Sequence, residues 1–227
     1  MAERSRPGSG RTRPRQGLVG PVLEVAPQLL GGVIRLGQVA IRLTEVEAYG
    51  GADDPGSHAF RGPTPRSEIM FGEPGVAYVY VSYGMHHCLN VVCGPAGTAA
   101  AVLLRAGDVI AGDDAARRRR DAGRARPHSR RDLARGPARL AAALGVDRSA
   151  GGSDLCDPLS PLRLEVGEPV EVAEISAGPR VGVSGPGGDG TAYPWRFWIA
   201  GATSVSAYRP AVVRTAGRSA VSRRSTR

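Results

Sequence analysis

The chain carries 32 glycines and 18 prolines in 227 residues, and no other feature restricts its fold as strongly. Glycine weakens helix and strand interiors, and proline removes a backbone donor and breaks them. Punctuation this dense argues against a helical bundle and for short elements joined by many turns. Between the breaks, the apolar share of 41% is enough Val, Leu and Ala for one core and too much for a fully disordered chain. The length fits one domain of roughly 190 residues with loose ends.

The pattern predicts a short helix over 22–30, ended by Gly31-Gly32, and strands over 33–36 and 39–49 that turn at Gly37. Residues 50–75 read as a long loop, of the kind that is usually functional or mobile. A hairpin follows over 77–82 and 87–93, with Tyr83-Gly84-Met85-His86 at its tip. Further strands are expected over 99–105, 162–166, 170–175 and 196–200, and a helix over 136–144 with Pro137 in its first turn. The expected fold is α+β: a single mixed domain with a β-rich antiparallel core, flanking helices and a protruding β-hairpin.

All thirty basic residues are arginine, and lysine is absent. Lysine Schiff bases, P-loop lysines and lysine general bases are therefore excluded. The formal net charge is +9. Arg4, Arg6, Arg11, Arg13 and Arg15 against Glu3, together with Arg214, Arg218, Arg223, Arg224 and Arg227, account for all of it. Residues 1–16 and 211–227 thus read as disordered Arg-rich arms around a formally neutral body at 17–210. Such arms are either solubilising tails or non-specific attractors of DNA. Inside the body, residues 115–139 hold ten arginines. They form either a phosphate-tracking cluster or a solvated helix and loop, and 111–132 is expected to be a variable Arg-rich loop.

The three cysteines, Cys88, Cys93 and Cys156, make no disulfide framework. The first residues contain no apolar stretch of signal-peptide type, and the longest nearly apolar run, 98–104, is too short to span a membrane. These features lead us to expect a cytoplasmic protein. His86, His87 and Cys88 are consecutive, so their side chains alternate across a strand; with no metal-ligand spacing present, no metal is expected.

On the 39–49 strand the odd positions run Val39, Ile41, Leu43, Glu45, Glu47, Tyr49. A carboxylate continuing an apolar face is partly buried, and desolvation favours a base that works near neutral pH. The alternative is that Glu45 and Glu47 pair with arginines elsewhere. Four of the six tyrosines fall at Tyr49, Tyr78, Tyr80 and Tyr83. An aromatic at a hairpin tip can wedge between base pairs, and rings beside a carboxylate can stack on a flipped base. Ordinary core packing is the competing reading, and it suits Tyr78 best.

These residues occur in an ordered series. Leu43-Thr44-Glu45-Val46-Glu47-Ala48-Tyr49 is followed by Asp54, Ser57-His58 and Thr64-Pro65-Arg66. Then come Met70-Phe71, Pro74-Gly75, Tyr78-Val79-Tyr80, Tyr83-Gly84-Met85, Cys88, Asn90 and Val102-Leu103-Leu104-Arg105-Ala106. Gly136-Pro137-Ala138-Arg139-Leu140, Arg180-Val181-Gly182-Val183 and Pro194-Trp195-Arg196-Phe197 complete it. From about residue 18 to 206 the series resembles the alkyladenine (3-methyladenine, methylpurine) DNA glycosylases.

The resemblance implies Glu47 as the carboxylate that activates a water for attack at C1′, with Arg105 holding a phosphate and supporting that water. It implies Tyr49, His58 and Tyr80 as the walls around a flipped base and Asn90 as a floor residue that helps reject guanine. Tyr83 corresponds to the intercalating side chain, and Met85 helps to fill the same gap. It further implies a monomer without cofactor, acting on duplex DNA that contains a damaged purine. The missing lysine points to water as nucleophile. A non-catalytic nucleic-acid binder is the alternative, but it would gain nothing from Glu47 facing a polyanion. A hydrolase or transferase of free nucleosides would need neither Tyr83 nor Arg-rich arms. The resemblance is weakest at 111–132, at the glycine-rich stretch 185–192 and in the terminal arms.

Overall fold

The computed structural model describes residues 10–211. The expected arms at 1–9 and 212–227 lie outside them. Residues 10–16, expected to be part of the N-terminal arm, lie against the body. Thr12 bridges Glu165, the Arg13 N–H donates to Leu164 O at 2.8 Å, and Arg15 pairs with Asp154 at 2.6 Å.

Helix α1 (Val22–Gln28) precedes the hairpin of β1 (Val33–Leu36) and β2 (Val39–Tyr49). The second hairpin is β3 (Ala77–Ser82) and β4 (His86–Val92), and β5 (Ala101–Ala111) follows. Helices α2 (Asp113–Asp121) and α3 (Pro137–Leu144) come next, then β6 (Leu162–Glu165), β7 (Ile175–Gly178) and β8 (Arg196–Ile199). All eight strands join one antiparallel sheet in the order β3-β4-β5-β2-β1-β6, with β8 pairing the second half of β2 and β7 pairing β8. The expected α+β domain with its protruding hairpin is what forms.

Four expectations about elements change. The Arg-rich stretch is not simply a loop, because 113–121 is helical. Asp113 and Asp114 in its first turn and Arg118, Arg119 and Arg120 in its last complement the helix dipole. Only Ala115 and Ala116 are buried, too little apolar signal to show a period. Strand β5 extends past Arg105 because Gly107 can press on β2, where a Cβ would collide with Arg42 O. The strand expected at 170–175 is displaced: Val172–Glu174 forms a 3-10 turn closed by a Glu171/Glu174 capping box, and the strand starts at Ile175. His86 belongs to β4, pairing with Ser82, and not to the hairpin tip.

The central feature is an irregularity in the β2–β5 ladder between Leu43 and Val46. Before it, Val39, Ile41 and Leu43 enter the main core; after it, Val46 and Ala48 do. The inward face therefore changes parity, as a bulge requires. Glu45, Glu47 and Tyr49 do not continue the apolar face of Val39, Ile41 and Leu43. They turn to the opposite side of the sheet. The same exchange occurs in β5, where Val102 and Leu104 are core residues before it and Val109 after it.

Candidate active site

Across the ladder, Glu47 faces Leu103 and Tyr49 faces Ala101. Both partners line a cavity of about 590 Å³, whose other walls come from the 55–70 loop, β3, β4 and residues 181–184. Six of the expected site residues line it: Tyr49, His58, Tyr80, Tyr83, Asn90 and Arg105. Tyr83 lies at its mouth, and Met85 stands beside Tyr83, 71% exposed and outside the lining.

Glu47 is fully covered. Its Oε2 accepts from the Tyr49 hydroxyl at 2.8 Å and lies 3.1 Å from the Arg105 guanidinium. Its Oε1 accepts from the Val181 backbone N–H at 2.7 Å. All three partners line the cavity but Glu47 does not, so the carboxylate stands one hydrogen bond behind the wall. A carboxylate oxygen has two lone pairs, and Oε1 keeps one for a further donor.

Glu45 takes a purely structural role. Its carboxylate accepts from Arg105 Nε, Arg196 Nε and the Ser206 hydroxyl at 2.8 Å each, and from the Ser206 N–H at 2.7 Å. Burial opposes its charge, but Arg105, Arg196 and the Ser206 N–H outweigh that penalty and hold its carboxyl below the usual range. Both readings of the two acids thus apply: Glu45 is an arginine partner, and Glu47 is an arginine partner placed beside a cavity. Arg105 is also buried. Desolvation works against its charge, but Glu47 and Glu45 overcome that and raise its pKa. Its Nε is spent on Glu45, and its two terminal nitrogens reach Glu47 and, at 3.4 Å, Ser206. Each terminal nitrogen keeps one N–H for the cavity.

Three aromatic groups form the walls. The Tyr49 ring has the Arg180 guanidinium 4.6 Å from its centroid. Burial, followed by the nearby Glu47 charge, raises the Tyr49 pKa well above its ordinary value, so the hydroxyl keeps its proton. Tyr80 meets His58 edge-on at 4.7 Å, and Arg66 lies 5.1 Å from the Tyr80 centroid. His58 Nδ1 hydrogen-bonds the Tyr78 hydroxyl at 2.9 Å. Desolvation and the neighbouring Arg66 push the His58 pKa down to about 4, so its ring is neutral at physiological pH. On the floor, Asn90 Nδ2 donates to Tyr78 O at 3.0 Å, which fixes the amide.

Above the cavity, Tyr83 is 89% exposed with φ +50°, the only positive φ outside glycine among the described residues. A tyrosine held in this left-handed conformation is strained.

Sequence reasoning gave no role to Arg180 and Asp54. Both side chains are fully buried, and they form a two-pronged pair with both bonds at 2.7 Å. Asp54 also accepts from the N–H groups of Gly50 and Gly56, and Arg180 donates to Ala48 O and Gly187 O. This pair fastens the start of the 50–75 loop and the glycine-rich 185–192 stretch to β2, and it sets Val181 against Glu47. The partners are 126 residues apart, so no local pattern reveals them. Arg196 and Ser206 were missed for the same reason.

Among the described residues, no three His, Cys, Asp or Glu side chains gather in a way that could hold a metal ion, and no helix is long and apolar enough to cross a membrane.

The methylpurine-DNA glycosylase (MPG) family model matches residues 18–203. A Streptomyces avermitilis protein named "Putative 3-methyladenine DNA glycosylase" is 54% identical over 194 residues, covering 83% of this chain and 88% of the relative. A protein of the same name from Leifsonia xyli is 52% identical over 200 residues, covering 86% and 92%. One from Cutibacterium acnes is 50% identical over 196 residues, covering 85% and 98%.

Proposed function

Because this chain belongs to the methylpurine-DNA glycosylase family, DNA repair hydrolases that act on N-glycosyl bonds, we propose that it flips a damaged purine out of duplex DNA and releases it with water as nucleophile. The substrates are alkylated or deaminated purines of the 3-methyladenine, 7-methylguanine, hypoxanthine and ethenoadenine class. The protein acts as a monomer at the first step of base excision repair.

The observation that carries this reading is the placement of Glu47, fully buried and held by Tyr49, Arg105 and the Val181 N–H directly behind an aromatic cavity. In the proposed reaction Tyr83 enters the stack and fills the gap left by the nucleotide, with Met85 beside it. The base enters between Tyr49 on one side and His58 and Tyr80 on the other, above Asn90. Once the wall yields enough to uncover Glu47 Oε1, a water donates to its open lone pair and adds to C1′; the water's proton passes to Glu47, and the electron pair of the C1′–N bond leaves with the purine. The anionic carboxylate also stabilises an oxocarbenium-like transition state, and Arg105 orients the water. With no lysine in the chain, no lysine Schiff base forms and the backbone stays intact.

The test is incubation with a duplex carrying hypoxanthine or 1,N6-ethenoadenine, followed by hot alkali to reveal abasic sites. Wild type is expected to give alkali-dependent breaks, and Glu47→Gln is expected to bind the duplex while losing base release. Absence of breaks on these and on methylated DNA would sink the enzymatic reading. Breaks without alkali would sink the water mechanism.

A further inference from the structure

Two of the four tyrosines that line the cavity, Tyr49 and Tyr80, already have a guanidinium on the ring. Arg180 lies 4.6 Å from the Tyr49 centroid and Arg66 lies 5.1 Å from that of Tyr80. A ring face attracts a cation through its quadrupole, and that attraction weakens when a cation already sits against the ring. The remaining lining points the same way. Arg66 and Arg105 are in the wall, and no aspartate or glutamate among the described residues is. Glu47 lies behind the wall and shares Arg105 with Glu45. Arg180 has Asp54 as its partner, whereas Arg66 lies within ion-pair distance of no carboxylate among the described residues. Burial, and then Arg66 itself, also hold the neighbouring His58 ring neutral, so it adds no positive charge to this wall.

We infer that Arg66 and Arg180 act as a charge filter: by loading the faces of Tyr80 and Tyr49, they disfavour purines with a fixed positive charge relative to uncharged purine lesions. The inference rests on the proposed glycosylase reading and concerns the choice among its substrates. Aromatic walls alone would favour a cationic base, and the two arginines reverse part of that preference. The purines affected are those quaternised by alkylation, such as 7-methylguanine; hypoxanthine and ethenoadenine are uncharged.

The experiment measures single-turnover excision from duplexes identical except for 7-methylguanine, hypoxanthine or 1,N6-ethenoadenine, using the full chain at saturating concentration. Wild type is compared with Arg66→Gln and Arg66→Glu, changes at an exposed residue. For each enzyme the rate on 7-methylguanine is divided by the rate on each uncharged lesion. The ratio cancels the active fraction and any general loss of DNA affinity, and comparing variant with wild type cancels the intrinsic reactivity of each base. Arg66→Gln is expected to raise both ratios roughly two- to fivefold, the size of one partly exposed cation–π interaction, and Arg66→Glu to raise them further. Ratios that are unchanged or lower in both variants overturn the filter while leaving the glycosylase reading intact. Failure of wild type to release any of the three bases overturns that reading, and the filter with it.

Discussion

The sharpest test of the buried network is Glu45→Gln. Glu45 is fully covered and accepts four hydrogen bonds, two of them from guanidiniums. Glutamine removes the charge and turns one acceptor into a donor. Whichever way the amide lies, its NH₂ faces either the Ser206 N–H or the two arginines. Arg105 and Arg196 are then left with Glu47 as the one carboxylate of the cluster. Removing one partner of a buried ion pair costs about 3–5 kcal/mol. In a domain of this size, each kcal/mol is worth roughly 2–4 °C in melting temperature, so the loss is about 6–20 °C. Urea unfolding and thermal melts of the full chain at pH 7 measure it.

The same variant carries a pH signature. The folded-state pKa of Glu45 is lowered, so its contribution is fully present above the unfolded-state value of about 4.5 and is lost as pH falls through the folded value. Wild type and Glu45→Gln therefore converge in stability on acidification below that point. Because Arg105 loses its Nε partner, excision falls more than DNA binding does. A loss under about 1 kcal/mol, or a stability gap that does not narrow in acid, would refute the claim that this network is held by charge.

Asp54→Ala leaves Arg180 buried without its carboxylate and should cost about 3–5 kcal/mol in urea unfolding; the double variant Asp54→Ala/Arg180→Met should recover part of that loss. Tyr83→Gly should leave the melting temperature unchanged or slightly higher, because glycine accepts a positive φ, while base flipping, followed by ethenoadenine fluorescence in duplex DNA, is lost. Arg119 donates to Ala143 O and Leu144 O at the end of α3, so Arg119→Ala should cost about 1–2 kcal/mol in thermal or urea unfolding. Removing 212–227 with its five arginines should flatten the salt dependence of DNA binding, by about 0.9 in the log–log slope for each phosphate no longer neutralised. The choice among lesions should be unchanged, as read by their relative excision rates.

Local pattern sufficed where a segment's neighbours only had to be apolar. The bounds of β1, β2 and β3 follow from alternation and turn residues. Helix α2 was hidden because its buried contribution is two alanines and its arginines are used through space: Arg119 on α3, Arg120 on Leu133 O, and Arg117 on His128 O. The side of the sheet on which Glu45 and Glu47 fall was hidden too, since the bulge that moves them is a property of the β2–β5 pair and not of β2 alone.

The sequence by itself determined a turn-rich α+β domain, a tyrosine at a hairpin tip, a chemistry without lysine and, through its ordered motifs, the family. Strand alternation, turn chemistry and side-chain identity are local properties, so one strand of text carries them. Only the tertiary structure decided that Arg105 serves both glutamates, that Asp54 and Arg180 lock the cavity wall, and that guanidiniums load both tyrosine faces. Electrostatic and hydrogen-bond energies depend on distances of a few ångströms through space and on exclusion of water. Neither is fixed until residues distant in sequence, 60 positions apart for Glu45 and Arg105 and 126 for Asp54 and Arg180, are packed together.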